Sequence, residues 1–218
     1  IPLPLAAKLV DIAEKDSADF VRIPRKNLVF GQWLKYSRWW PDYNIRFFKK
    51  GVVTWSDAIH RPPITEGVGI NLDPEPEFAL IHHHYRTLDE YLERMIRYTN
   101  QQSKELIDEG YEFNLADLVN KPVGEFLSRF FAGEGYKDGL HGFVLSVLQA
   151  FSTFVIYLKV WQEQGFTPQQ DVMSKPAFRK LISQKFIELK YWLYTVKIHL
   201  SQSKAQKYLL KVRRKLHL

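Results

Sequence analysis

An α/β fold followed by a mostly helical, amphipathic C-terminal region is predicted by three features of this sequence. Short β-rich runs separated by Gly and Pro turns fill the first 86 residues. Apolar residues then recur at helical spacing after Arg86, and the final stretch combines an apolar stripe with a dense series of bases. With 218 residues, 45% hydrophobic and 15% aromatic, the chain has enough apolar material for a core and too much for disorder. The absence of cysteine excludes disulfide frameworks, thiolate zinc sites and cysteine nucleophiles.

In chain order, Leu5, Leu9 and Ile12 share one face and predict a short amphipathic helix over Leu5–Lys15. ADFVRIPRKN, Ala18–Asn27, is rich in β-formers and predicts a strand, with Pro24 weakening its end. From Leu28 to Asp42 the residues Phe30, Trp33, Tyr36, Trp39 and Trp40 alternate with Lys35 and Arg38, an aromatic and basic loop punctuated by Gly31 and Pro41. YNIRFFKKG, VVTWSDAIH, GVGINL and EFALIHHHY then supply the rest of a mixed sheet. Thr87 with Glu90 forms a capping-box signature ahead of the first long helix, about Leu88–Gly110. Further helices are expected over Leu115–Ala132, Asp138–Gln164 and from Lys175 to the end.

Charge is unevenly placed. Val172–Leu218 holds twelve Lys and Arg against one acid, Glu188, a net of +11, whereas the rest of the chain is at −4. A mildly acidic body with a strongly basic tail points to a polyanionic partner, an anionic membrane surface or a nucleic acid. Within the tail, Phe178, Ile182, Phe186, Leu189, Leu193, Val196 and Leu200 step by three or four residues, as a basic amphipathic helix on anionic lipid requires. A helix packed on its own domain with a solvated basic face gives the same pattern. Leu140–Leu158 has no formally charged side chain and would be about 29 Å long as a helix. Its five polar side chains and the chain's mean hydropathy of −0.29 predict a helix that is buried or lies at a membrane interface rather than one that spans.

Among residues able to carry chemistry, His82–His84 invite a metal reading, but on a strand His82 and His84 share one face and His83 the other, so at most two could share an ion unaided. Asp73, Glu75 and Glu77, spaced by prolines, read as an exposed acidic loop. No glycine-rich phosphate loop, G-x-S-x-G or H-E-x-x-H occurs. Asp42 follows Trp39, Trp40 and Pro41 at a turn, where a turn-capping aspartate is the plain reading.

The ordered series ADFVRIPRKNLVFGQWLKYSRWWPDYNIRFFKKG, AIH, ALIHHHYRTLDEYLERMIRYT and GYKDGLHGFVLSVLQAFSTFVIYLKVWQ resembles the C-terminal half of bacterial family 2 glycosyltransferases, especially the branch near lipopolysaccharide core glucosyltransferases. The likeness covers about Leu3–Gln162. It implies that residues 1–86 are the acceptor side of an A-type nucleotide-sugar transferase sheet, 87–166 a helical region with an interfacial apolar helix, and 167–218 a basic amphipathic tail. The family's D-x-D motif, which holds a divalent metal (Mg or Mn) and the sugar diphosphate, would precede Ile1. The expectation is therefore a piece of a longer protein, inactive without its N-terminal half. In the family pattern W-Y-P-D-x-x-x-R-L-F, matched by Trp40, Asp42, Arg46 and Phe47, the aspartate is the implied general base, since inversion needs one carboxylate to take the acceptor's proton.

Trp39, Trp40, Arg46 and Arg61 are the implied acceptor- and donor-binding residues, and His60 matches a histidine that completes a metal shell or touches the diphosphate. Arg61 replaces the glutamate usual after that histidine. His82 and Tyr85 match the H-x-x-Y-R of a strand-to-helix junction, and Arg94 stands where lysine is usual. The implied partners are a nucleotide-sugar donor, a glycolipid or saccharide acceptor and an anionic membrane surface, with the protein peripheral or monotopic on the cytoplasmic face of a bacterial inner membrane. Two other readings remain: a non-catalytic membrane-surface or partner-binding module, and a nucleic-acid binder using the aromatics and bases of Phe30–Arg46 with Tyr191 and Trp192.

Overall fold

The computed structural model describes residues 1–55 and 62–216 and has an α/β N-terminal part followed by a helical C-terminal region. Its contacts divide the chain into two units, Ile1–Leu88 and Asp89–Leu218.

In the first unit a single ten-residue strand, β1 (Phe20–Val29), pairs with every other strand of a five-stranded mixed sheet. Along one edge it is antiparallel to β3 (Asp42–Phe48) and, through a tight hairpin, to β2 (Gln32–Trp33). A short ribbon, β4 (Val53–Thr54) with β5 (Ile64–Thr65), stands apart. Along its other edge β1 is parallel first to β6 (Gly69–Asn71) and then to β7 (Leu80–Tyr85). Pro24, expected to weaken the end of this strand, instead lies in mid-strand, where β6 has ended opposite Arg22 and β7 has yet to begin opposite Arg25. A residue without an N–H is tolerated at such a break in the ladder. Helix α1 (Leu3–Glu14) lays Leu5, Leu9 and Ile12 on Val21, Ile23 and Leu72, and Phe47, Ile70 and Phe78 pack around that core.

Asp19 fastens the near end of this sheet. Its carboxylate accepts from the Val68 amide at 2.7 Å and from Lys49 Nζ at 2.8 Å, while Lys49 N donates to its carbonyl at 2.8 Å. A side chain at Gly67, whose φ is +83°, would run into that carboxylate.

The second unit is built from α2 (Leu88–Asp108), α3 (Asp117–Phe126) continued by a π-helical segment Leu127–Ala132, α4 (Gly139–Glu163), α5 (Pro176–Leu200) and α6 (Lys204–Leu216). The tail is thus two helices rather than one, broken at Ser201–Ser203, where the Ser203 hydroxyl accepts from the Gln206 amide. Lys159 Nζ ties α4 to α2 through Thr99 Oγ1 (2.7 Å) and Asn100 Oδ1 (2.5 Å). Gly142 lets α4 close on the turn before it: a Cβ there would sit 1.9 Å from the Gly135 carbonyl oxygen. The helix through Gly135–Glu163 is long and apolar enough to cross a membrane, and 22% of its most apolar stretch is buried.

Two outcomes follow from these contacts. Gly142→Ala should destabilise the helical unit by about 3 kcal/mol, because backbone and not a flexible side chain must move; thermal or urea unfolding that matches the wild type would contradict the close approach. The Asp19 carboxyl should titrate below its ordinary 3.8, held down first by Lys49 and then by the Val68 amide. Because the folded value is the lower one, this contribution is present above about pH 4 and is lost as pH falls through the folded value; NMR titration of the carboxyl checks it.

Candidate functional site

The face of β1 that carries Val21 and Ile23 against α1 continues, two and four residues on, as Arg25 and Asn27, because alternate residues of a strand share a face. Opposite Arg25 stands Asp42, the first residue of β3, and opposite Asn27 stands His82 of β7. An apolar core thereby gives way along one sheet face to a polar cluster.

Asp42 Oδ2 accepts from Arg25 Nη2 at 2.5 Å and Nε at 3.0 Å, and from Asn27 Nδ2 at 2.8 Å. Its Oδ1 has a longer contact with Asn44 Nδ2, 3.4 Å. The donors crowd one oxygen and fix the carboxylate plane, with the Asp42 side chain still 27% exposed. Asn27, wholly buried, is the hub: Nδ2 also donates to the Trp39 carbonyl at 3.0 Å, and Oδ1 lies 2.7 Å from His82 Nδ1. With a carboxylate and a carbonyl on one side of the amide, Nδ2 must point there, so Oδ1 accepts and His82 carries its proton on Nδ1. The 3.4 Å approach of His84 Nδ1 to that nitrogen is then ring contact, in keeping with edge-to-face rings 5.0 Å apart.

Two bulges shape the rim. Arg46 is the extra residue of β3 between the partners of Val21 and Arg22, and His84 the extra residue of β7 between the partners of Leu28 and Val29. Such bulges re-aim a side chain beside functional sites. His84 meets Trp39 edge-on at 5.0 Å, and Trp40 meets Trp33 edge-on at 5.1 Å, while Lys26 and Lys35 each stand 4.6 Å from the Trp33 ring centre. The Trp40–Pro41 peptide that leads into Asp42 is cis. Arg46 is exposed; its Nη1 donates to the Ile45 carbonyl at 2.9 Å and its guanidinium lies 5.7 Å from the Trp55 ring centre.

Of the residues singled out in the sequence, Asp42 and Trp39 come together around Asn27, Trp40 flanks them through the peptide chain, and Arg46 sits four residues along the same strand. His60 and Arg61 lie outside the described residues. Arg25 and Asn27 were not singled out, yet they hold the carboxylate. Their signal is the run Val21-x-Ile23-x-Arg25-x-Asn27, in which the buried alternation of a strand continues in polar side chains.

No set of three His, Asp or Glu residues able to hold a metal assembles among the described residues. His82 and His84 share a face as expected, and among the described residues no third ligand joins them to make a metal-holding set. The residues described do not form a site for the divalent ion that the family resemblance implies. No family model matches this chain, nor does any solved structure at a significant level.

Removing the hub tests the cluster. Asn27→Ala should cost about 1–3 kcal/mol for each partner left unsatisfied. In the unaltered protein, long-range nitrogen-proton NMR should find His82 in the Nδ1–H form. The Nε2–H form would mean that the Asn27 amide is reversed and the Asp42 carboxylate is held differently.

Proposed function

We propose that this chain is the acceptor-side portion of an inverting, membrane-associated glycosyltransferase, which moves a sugar from a nucleotide-sugar donor to a lipid-linked or lipopolysaccharide-type acceptor. The single observation that carries the reading is the Asp42 carboxylate, oriented through Oδ2 by Arg25 and Asn27, partly open to solvent and set beside Trp39 and Trp40. A general base needs this: one carboxylate held in a fixed plane, within reach of an incoming hydroxyl. Through its less crowded Oδ1, Asp42 takes the proton of the acceptor hydroxyl as that oxygen attacks the anomeric carbon and the nucleoside diphosphate departs.

Half-buried indole rings at Trp39 and Trp40 offer the apolar faces on which a pyranose ring rests, and exposed Arg46 supplies positive charge for a phosphate-bearing donor or acceptor. Arg61 and His60 keep the diphosphate and metal roles given to them by resemblance. On this reading the divalent ion would be held mostly by the family's D-x-D motif, outside this chain, with His60 completing its shell, and no step is drawn through it.

A second reading is favoured by a different observation. The exposed apolar residues of α4, together with the basic α5 and α6, fit a membrane-surface module that needs no chemistry at Asp42.

Asp42→Asn decides between them. In the protein made from the complete reading frame, transfer should fall by about 10²–10⁴-fold, while nucleotide-sugar affinity changes little, because proton removal is lost and donor contacts are kept. Sugar transfer retained above about a third of the wild-type rate would leave Asp42 as a structural partner of Arg25 and Asn27. Thermal unfolding of the same variant separates lost chemistry from lost fold.

A further inference from the structure

Between α3, α4 and α5 runs an open groove of about 620 Å³. Val123 and Phe126 form one wall, Val147 and Phe151 the floor, and Ile182 and Phe186 the other wall. Of the fourteen lining residues, Lys185 is the one that is polar, and its Nζ is engaged by Glu188 at 2.8 and 3.0 Å. The floor runs out onto bare surface, because Leu140, Phe143, Val147 and Phe151, spaced three and four apart on α4, are all 42% exposed or more. Phe186 on the wall is 64% exposed.

The chemistry of an occupant is set by what the groove lacks and by what surrounds it. A wall almost devoid of donors and acceptors would strand the N–H and C=O groups of an extended peptide, whereas a hydrocarbon chain asks for none. The volume falls in the range of about 300–1,000 Å³ usual for small-ligand sites. Exposed bases lie within a turn of the lining residues, Arg179 before Ile182 and Lys190 after Phe186, in a tail, Val172–Leu218, whose sequence carries twelve bases against one acid. A second copy of the chain would bring the same positive charge against itself, while an anionic amphiphile complements it.

We propose that this groove takes the hydrocarbon chain of an anionic lipid of the bilayer, with the headgroup met by the bases of α5 and α6. The proposal rests on the membrane-surface part of the reading above and is independent of Asp42. Burial of the chain follows apolar area, and the headgroup contact is electrostatic and screened by salt.

The test is titration of the full chain with cis-parinaric acid, a fluorescent single-chain anionic amphiphile, alongside co-sedimentation with vesicles of anionic or neutral phospholipid. Saturable binding is expected, displaced by hexadecyl phosphate and not by butyl phosphate, which has the headgroup without the chain. Val147→Trp fills the groove from an already exposed position and should weaken binding at least about tenfold. Phe186→Asp, on the opposite wall, should do the same independently, and circular dichroism of both variants should match the wild type. Vesicle pelleting should favour anionic lipid, weaken at about 0.5 M salt and survive Val147→Trp.

Parinaric acid bound equally well by both variants would overturn the groove as the site, and pelleting on anionic vesicles would then leave the membrane reading standing. Groove-dependent parinaric binding without any pelleting would overturn the bilayer as the source of the lipid. A lipid-free dimer that Val147→Trp turns into a monomer would assign the groove to a second copy of the chain and overturn the proposal.

Discussion

The N-terminal unit depends on the register of one strand. Because β2, β3, β6 and β7 all pair with β1, any slip of β1 would move every side chain of the sheet relative to α1. The same alternation that buries Val21 and Ile23 under α1 lines up Arg25 and Asn27 with Asp42 and His82. Core and candidate site are therefore two stretches of one face. The apolar half fixes the register, and the polar half inherits a geometry it could not enforce alone, since a partly exposed ion pair such as Arg25–Asp42 contributes little net stability.

How much of this was legible in the sequence differs from element to element. The change from strand to helix periodicity near Arg86, the apolar face of α1 and the span of α4 could be read directly, because each buries or displays a regular stripe. The β1–β2 hairpin could not. Its turn residues Phe30 and Gly31 both have positive φ, as a two-residue hairpin turn requires, but an aromatic residue occupies the position where asparagine or aspartate would signal it. Nor could Pro24 be placed inside a central strand without knowing that β6 and β7 divide its neighbouring edge. The break between α5 and α6 did leave a trace in Ser203-x-x-Gln206, a helix-start pattern masked by the apolar spacing that runs up to Leu200.

At the candidate site the aromatic and acidic residues drew attention because their types are unusual together, whereas Arg25 and Asn27 sit in an ordinary β-rich run. A buried asparagine satisfied on both sides of its amide is conspicuous once its partners are in place and silent before. The bulges at Arg46 and His84 are likewise products of pairing, visible when two strands are laid against β1 and absent from the composition of either.

The reversal between α5 and α6 has a consequence for how the tail holds its charge. As one continuous helix the segment would be a rod of about 60 Å; folded back it occupies about 37 Å, the length of α5. Arg214 returns to bond Thr195 Oγ1 at 3.0 Å and to stand 4.9 Å from the Tyr191 ring centre. A line of charge has become a plate, with more elementary charges per unit area and a larger self-repulsion opposing closure. Ile198 and Leu210 are buried within it, one from each helix, against that repulsion. Like charges held this close make closure of the hairpin a matter of screening, easier where anions gather beside it.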